Sequence, residues 1–359
     1  MSDKIQKLLE SSKRVILDCA LDNGAIVAAN LSKEYYSKEA KNYFYVWPRD
    51  GAFSCMAADI IGIKNIQESY FDWLLNRAEG RIETGLFYEK YFPNGLKARK
   101  RFQPDQTGLV IFSICKHFEN DFEGVKKYKD LIIGSANALC KNWQENHFEL
   151  ITNDLWEERL TFPDLQDNFS YSLAACVAGL LSADRLFPNE NYQNVSLQMR
   201  KILLDEIERN GYVTRAFGKL NDQRIDASAL GLIWPFEIID PQSKLAKKTI
   251  EKIEEKIVKD YGVYRYENDE YDGWMYETQH RKKGAGYWPL LNFWMSIVLC
   301  KIGRKEEAEK YYQKVIDNIG DDFIPEQIFT NDIQKAVSPL CWSHAMFIFA
   351  SKELGYIKK

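Results

Sequence analysis

Tyr171-Ser172-Leu173-Ala174-Ala175-Cys176-Val177-Ala178-Gly179-Leu180-Leu181 offers no charged face at any helical register. A helix that is apolar nearly all round is a buried one, whereas a surface helix carries a single apolar stripe. Leu109-Val110-Ile111-Phe112-Ser113-Ile114-Cys115 and the run from Trp342 to Ala350 read the same way. Striped helices alternate with them. In 242–260 the stripe is Leu245, Ile250, Ile253, Ile257 and Val258 among many Lys and Glu. Apolar spacing at three and four residues predicts twelve helices, near 4–29, 51–62, 64–79, 106–119, 123–145, 166–186, 192–209, 225–236, 242–260, 286–302, 304–319 and 338–354. The even-numbered set is buried and the odd-numbered set lies outside it. Strand signal is slight.

The connections alternate as well. Those leaving an even helix are tight, at Gly62-Ile63, Pro188-Asn189, Ile239-Asp240-Pro241 and Gly303. Those entering one are long: 30–50, 80–105, 146–165, 210–224, 261–285 and 320–337. Inner and outer helices in up-down order close most simply into an all-α double ring, a toroid of six helical hairpins. All the long loops then fall on one face, around the N-termini of the inner helices. The rival is an open solenoid, and Arg304-Lys305-Glu306-Glu307-Ala308-Glu309-Lys310-Tyr311-Tyr312 has that look. It does not recur at a fixed period, as repeat arrays require. No linker or composition break divides the chain, so residues 1–359 read as one domain.

Composition narrows the partners. A net charge of −4 provides no basic field for nucleic acid. No apolar run reaches the roughly 18 residues of a membrane span, and Met1 to Asn30 lacks a signal-peptide core. The seven Cys have no metal-ligand spacing and sit mostly in apolar patterns, as buried reduced thiols of a cytoplasmic protein do. His117, His147, His280 and His344 are scattered, and His344, inside an apolar helix, reads as core. No metal or cofactor is expected, and nothing in the sequence sets the oligomeric state.

The long loops hold the unusual residues. Loop 146–165 carries Asn153-Asp154-Leu155-Trp156-Glu157-Glu158-Arg159, and loop 30–50 ends in Trp47-Pro48-Arg49-Asp50. The others add Gln103-Pro104-Asp105, Tyr264-Arg265-Tyr266-Glu267 and Ile324-Pro325-Glu326-Gln327. A lone Glu-Glu pair is usually a solvated helix start, and Asp50 alone is a good N-cap. Gathered on one rim, these residues suit a sugar: indoles stack on its apolar face while Arg and carboxylate forks bind vicinal hydroxyls. Glycosidic cleavage needs one protonated carboxyl and one carboxylate base or nucleophile. Glu157 and Glu326, on different loops, are placed to face each other across a ring. Trp156, Glu158 and Asp154 are expected to keep Glu157 protonated, and a more polar loop to keep Glu326 ionised.

With these motifs in hand, the chain resembles the glucoamylase-like glycoside hydrolases, family 15, from about residue 41 to 350. The resemblance rests on the order of Trp47-Pro48-Arg49-Asp50, Gln103-Pro104-Asp105, Asp154-Leu155-Trp156-Glu157-Glu158, Tyr264-Arg265-Tyr266, Tyr287-Trp288-Pro289-Leu290-Leu291, Pro325-Glu326-Gln327 and Trp342-Ser343-His344-Ala345. It implies an (α/α)6 barrel and inverting exo-hydrolysis at the non-reducing end of α-glucosides. Glu157 becomes the general acid and Glu326 the general base. Arg49, Asp50, Glu158 and Arg265 would hold the first glucosyl unit, and Trp47, Trp156 and Trp288 would line the pocket.

Arg99 stands where starch-degrading members place a Trp, and neither an N-terminal β-sandwich nor a starch-binding module is evident. Both departures turn the expected substrate from polysaccharide to short α-glucosides: maltooligosaccharides, isomaltose-type sugars or trehalose. The alternatives are a non-catalytic regulatory barrel, as in phosphorylase kinase, or another α/α-barrel enzyme such as a trehalase or phosphorylase. The first has no use for an acid and base together. A phosphorylase would need a phosphate pocket, and the loops show no clear basic cluster.

Overall fold

The computed structural model describes residues 3–36, 41–273, 282–320 and 322–357; His280 lies outside them. Eleven α-helices of ten or more residues are present among the described residues. They are α1 (Asp3–Cys19), α2 (Pro48–Ile60), α3 (Ile66–Asn76), α4 (Pro104–His117), α5 (Lys129–Lys141), α6 (Ser170–Leu186), α7 (Glu190–Asn210), α8 (Lys244–Ile257), α9 (Pro289–Lys301), α10 (Lys305–Asn318) and α11 (Cys341–Leu354). A 3₁₀ segment, Ala227–Leu232, stands where the twelfth was expected.

Inner elements pack in a closed circuit, α2 on α4, α4 on α6, α6 on the 3₁₀ segment, that on α9, α9 on α11, and α11 back on α2. Outside it, α1 covers α11, α3 covers α2, α5 covers α4, α7 covers α6, α8 covers the 3₁₀ segment and α10 covers α9. The fold is an (α/α)6 barrel, as the alternation of all-round and striped helices predicts. Every residue of α2 from Pro48 to Ala58 is buried, whereas α8 buries one face: Ala246, Thr249, Ile250, Ile253 and Ile257. The interior is one large apolar cluster reaching from Ile5 to Leu354, with a small second one of Ala29, Tyr36 and Val337.

The inner ring is tight where α4 and α6 cross. A Cβ on Gly108 would meet the Ala175 carbonyl oxygen at 2.4 Å, and one on Gly179 the Gly108 carbonyl oxygen at 2.5 Å. Only hydrogen fits at this crossing.

Three expectations need correction. Residues 225–236 do not form an α-helix. Asp226 caps the start by accepting from Ser228 N at 2.8 Å, but Trp234 precedes Pro235, which bars it from the helical region and supplies no N–H. The first helix stops at Cys19 rather than near 29: Ala28 and Ala29 turn their N–H groups to Tyr45 and Tyr43. The long loops, finally, hold strands. β1 (Tyr88–Tyr91) and β2 (Lys97–Phe102) form an antiparallel hairpin; β2 pairs in parallel with β3 (Thr152–Asn153), which pairs with β4 (Leu160–Thr161). Lys97-Ala98-Arg99-Lys100-Arg101-Phe102 lacks the apolar alternation by which a strand is recognised. The sheet ties loop 80–105 to the hairpin that carries Glu157.

Candidate active site

The same device starts three inner helices. Trp47, Gln103 and Trp288 each precede a proline, and all three are extended (φ −97°, −114° and −104°). Pre-proline crowding forces that conformation, and the proline gives up an N–H that a helix start cannot use. The three side chains are thereby held where the barrel opens to its long loops.

Glu157 sits at the tip of the β3–β4 hairpin with φ +64°, a left-handed conformation that strains a residue with a Cβ. The loop is braced from below. Asp154 accepts from the N–H groups of Glu158 (2.8 Å) and Arg159 (3.0 Å) and pairs with buried Arg215. Arg215 also reaches Asp226, which accepts from Trp156 Nε1 at 3.0 Å. The Gln103 side-chain amide donates to the Asp154 carbonyl. These contacts fix the peptide of the candidate acid from three loops at once.

The expected neighbours of Glu157 are only partly the ones found. Glu158 and Asp154 each own a cation, Arg265 and Arg215. The indole Nε1 of Trp47 donates to Glu157 Oε1, and the carboxyl facing Glu157 within hydrogen-bonding reach is that of Glu89. Glu89 is fully buried and accepts from Asn153 Nδ2 at 2.9 Å. Burial and the negative charge of Glu157 raise its proton affinity.

Glu326 corrects a second expectation. Its loop is not a polar one: the side chain is 3% exposed, and burial pushes it up to about 7. The Tyr43 hydroxyl, donating to Oε1 at 2.7 Å, opposes the shift together with Lys41 and Arg265. Its backbone N–H donates to the Val337 carbonyl at 2.8 Å.

Between these arms lie the residues expected to bind substrate. Arg49 stands 3.1 Å from Asp105, 3.3 Å from Asp50, and over the Trp342 ring. Asp50 is pushed up to about 6 by burial, against the pull of Arg49. Arg265, buried, forks onto Asp269 and donates to Glu158 at 2.8 Å. Its guanidinium lies 5.4 Å and 5.0 Å from the ring centroids of Trp156 and Trp288.

All nine residues named from the sequence, Trp47, Arg49, Asp50, Trp156, Glu157, Glu158, Arg265, Trp288 and Glu326, line one pocket of about 630 Å³. That volume suits a small ligand. Glu326 Oε2, Trp288 Nε1 and Trp342 Nε1 are buried there without a hydrogen-bond partner. Such groups are costly unless a ligand or solvent meets them. Sequence reasoning missed Lys41, Tyr43, Lys90 and Tyr271 on the wall and Glu89 behind it; the expected lack of a basic cluster is also corrected, since the β1–β2 hairpin brings Lys90 and Arg99 to the pocket with Lys41. Tyr43 lies four residues before Trp47 in the same loop and could have been weighed with it.

A pocket that pairs carboxyls across indoles and arginines, at the loop face of an (α/α)6 barrel, belongs to a glycoside hydrolase. The chain is a member of the glycosyl hydrolases family 15, whose model matches residues 83–352. It is 28% identical over 374 aligned residues to an uncharacterized glycosyl hydrolase of Methanocaldococcus jannaschii, covering 95% of this chain and 55% of that protein. It is 20% identical to the isomaltose glucohydrolase of Kribbella flavida (87% of this chain, 85% of that one). It is 26% identical to trehalase 1 of Sulfolobus acidocaldarius (72% and 43%). The chain thus spans about half the length of two of these relatives. Among solved structures, a wild-type glycosidase superposes with a TM-score of 0.80 at 21% identity, covering 99% of this chain and 98% of its own. A bacterial glucoamylase complexed with acarbose gives 0.75 at 19%, covering 96% and 55%. Among the described residues no helix is long and apolar enough to cross a membrane.

Proposed function

We propose that the chain is an inverting, exo-acting α-glucosidase that releases glucose from the non-reducing end of short α-glucosides, with Glu157 as general acid and Glu326 as general base. The observation that carries this reading is the pair of separately braced carboxyls in one pocket, Glu157 under the Trp47 N–H and Glu326 under the Tyr43 hydroxyl. Glu157 gives its proton to the leaving oxygen as the C1–O bond breaks. Glu326 takes a proton from the water that attacks C1 on the opposite face. Arg49, Asp50, Glu158 and Arg265 grip the glucosyl hydroxyls, and Trp47, Trp156 and Trp288 pack on the ring. The reaction needs no metal.

Short substrates are favoured by Arg99 at the mouth and by the relatives named for isomaltose and trehalose. The catalytic unit is the whole of 1–359. All seven cysteines are unpaired thiols, which supports a reducing, cytoplasmic setting. The test is a panel of α-linked disaccharides with Glu326→Gln protein as control. Proton NMR of the first product should give β-glucose; α-glucose first would overturn the role given to Glu326.

A further inference from the structure

The mouth of the pocket carries three cations that a neutral sugar does not require. Lys90 Nζ stands 3.6 Å from Glu157 Oε2 and 3.7 Å from Glu89 Oε1, and lies 4.7 Å from the Trp47 ring centroid. Arg99 Nη1 is 3.5 Å from the same Glu89 oxygen, with half its side chain in solvent. Lys41 Nζ stands 3.3 Å from the Tyr271 hydroxyl; burial pushes it down, Lys90 and Arg99 repel it, and Glu326 and Glu157 attract it. All three line the pocket.

Two features make this more than a solvated edge. Lys90 and Arg99 are direct cross-strand partners in the β1–β2 hairpin, and like charges directly opposite each other destabilise a strand pair. Edge strands do carry charges as a guard against association, but β2, which carries Arg99, lies between β1 and β3 and is not an edge, and the Lys90 side chain is largely buried at the pocket. Further, Lys90 reaches the carboxyl assigned as the acid, so the cluster stands on the side of the pocket from which the leaving group departs. Glu89 Oε1 lies between Lys90 and Arg99 and offsets part of their repulsion; an anion arriving at the mouth meets both of these cations and Lys41.

We propose that the leaving group of the natural substrate is anionic, a glucosyl acceptor bearing a carboxylate or a phosphate, received by Lys90, Arg99 and Lys41. The proposal rests on the assignment of Glu157 as acid, since Lys90 and Arg99 stand on its side of the pocket. The anion takes no part in bond exchange: C1–O breaks, water adds to C1, and the charged group leaves with the acceptor.

Two matched pairs of glucosides test it. Maltobionate and maltitol differ by a carboxylate in place of a hydroxymethyl group. Trehalose 6-phosphate and trehalose differ by the phosphate. Binding to Glu326→Gln protein, read by tryptophan fluorescence and calorimetry, should favour an anionic member by about tenfold, the effect of one net charge-assisted hydrogen bond. Raised salt should erode the preference, and Arg99→Gln should reduce the ratio. A preference in the first pair alone assigns a carboxylate, in the second alone a phosphate. Equal or weaker binding of the anion in both pairs overturns the proposal. So does glucose 1-phosphate formed on adding inorganic phosphate, since the cations would then serve a nucleophile. Wild-type turnover separates this inference from the function beneath it. Neutral members cleaved as well as anionic ones leave a hydrolase without the preference. Tight anion binding with no glucose released from either pair overturns the hydrolase reading alone.

Discussion

The imidazole of His344 accepts the backbone N–H of Ile324 at 3.0 Å, two residues before Glu326. Burial pushes this histidine down to about 3, so it is neutral wherever the protein works. With Nε2 accepting, Nδ1 carries the ring proton and donates to Ser12 Oγ at 2.8 Å, and that hydroxyl donates to the Leu8 carbonyl at 2.7 Å. Ser343 donates to the Pro325 carbonyl at 3.0 Å. The inner helix α11 therefore holds the loop of the candidate base by its backbone and ties it to α1.

Replacing His344 by Phe fills the volume and removes the acceptor. The Ile324 N–H is then buried unsatisfied, at a cost of about 1–3 kcal/mol. Thermal unfolding should show the loss. Because Glu326 is moved rather than removed, kcat should fall more than KM rises. A stable variant with unchanged kcat would mean that the contact does not position the base.

Glu326 must be ionised to act as base, and burial pushes it up to about 7. The acid limb of kcat/KM, which reports the free enzyme, should lie near that pH, with activity falling below it. Tyr43→Phe removes a hydrogen bond that favours the carboxylate, so the limb should move to higher pH. A limb unmoved by Tyr43→Phe would assign it to another group.

The same shift has a sign in stability. A carboxyl raised from its ordinary 4.5 to about 7 on folding favours the folded state below 4.5. That contribution is lost as pH rises through 7. Glu326→Gln never becomes charged. It should be more stable than wild type above pH 7, by at most about 3 kcal/mol, read as a higher melting temperature, and converge with it below pH 4. A variant less stable at pH 8 would show that the carboxylate is well solvated in place.

The ring was legible because burial writes itself into composition: α6 is apolar on all sides since helices surround it on all sides. The rim was legible in part, since Trp47, Gln103 and Trp288 are fixed by the proline after each. The 3₁₀ segment was not, because Ala227 to Leu232 has the composition of an inner helix and Pro235 acts from beyond it. Nor was Glu89, whose place beside Glu157 depends on a hairpin register that the basic sequence of β2 conceals. The polar surroundings given to Glu326 failed for a related reason, as Tyr43 reaches its carboxyl from loop 30–50.

Helix propensity and packing make opposite predictions at Gly179. Mid-helix, Gly→Ala should stabilise by about 1 kcal/mol. The new methyl would lie 2.5 Å from a backbone oxygen of α4, and a helix cannot step aside as a side chain can. Overpacking costs typically about 1–3 kcal/mol, so Gly179→Ala should lower the unfolding midpoint. A raised midpoint would mean that the inner ring breathes at this crossing.

The role of Glu157 is tested most sharply by the leaving group. Positioned proton transfer contributes roughly 10²–10⁴-fold, and it matters most when the departing oxygen is a poor leaving group. Glu157→Gln keeps the size of the side chain and can still meet Trp47, but has no proton to give. On a disaccharide, kcat should fall by about that factor. On α-glucosyl fluoride, whose leaving group needs little protonation, the fall should be far smaller. Glu326→Gln, lacking the base that activates water, should fail on both. Equal losses on disaccharide and fluoride in the Glu157 variant would move the acid to another side chain, and Glu89, facing Glu157 from behind the wall, would be the next to test.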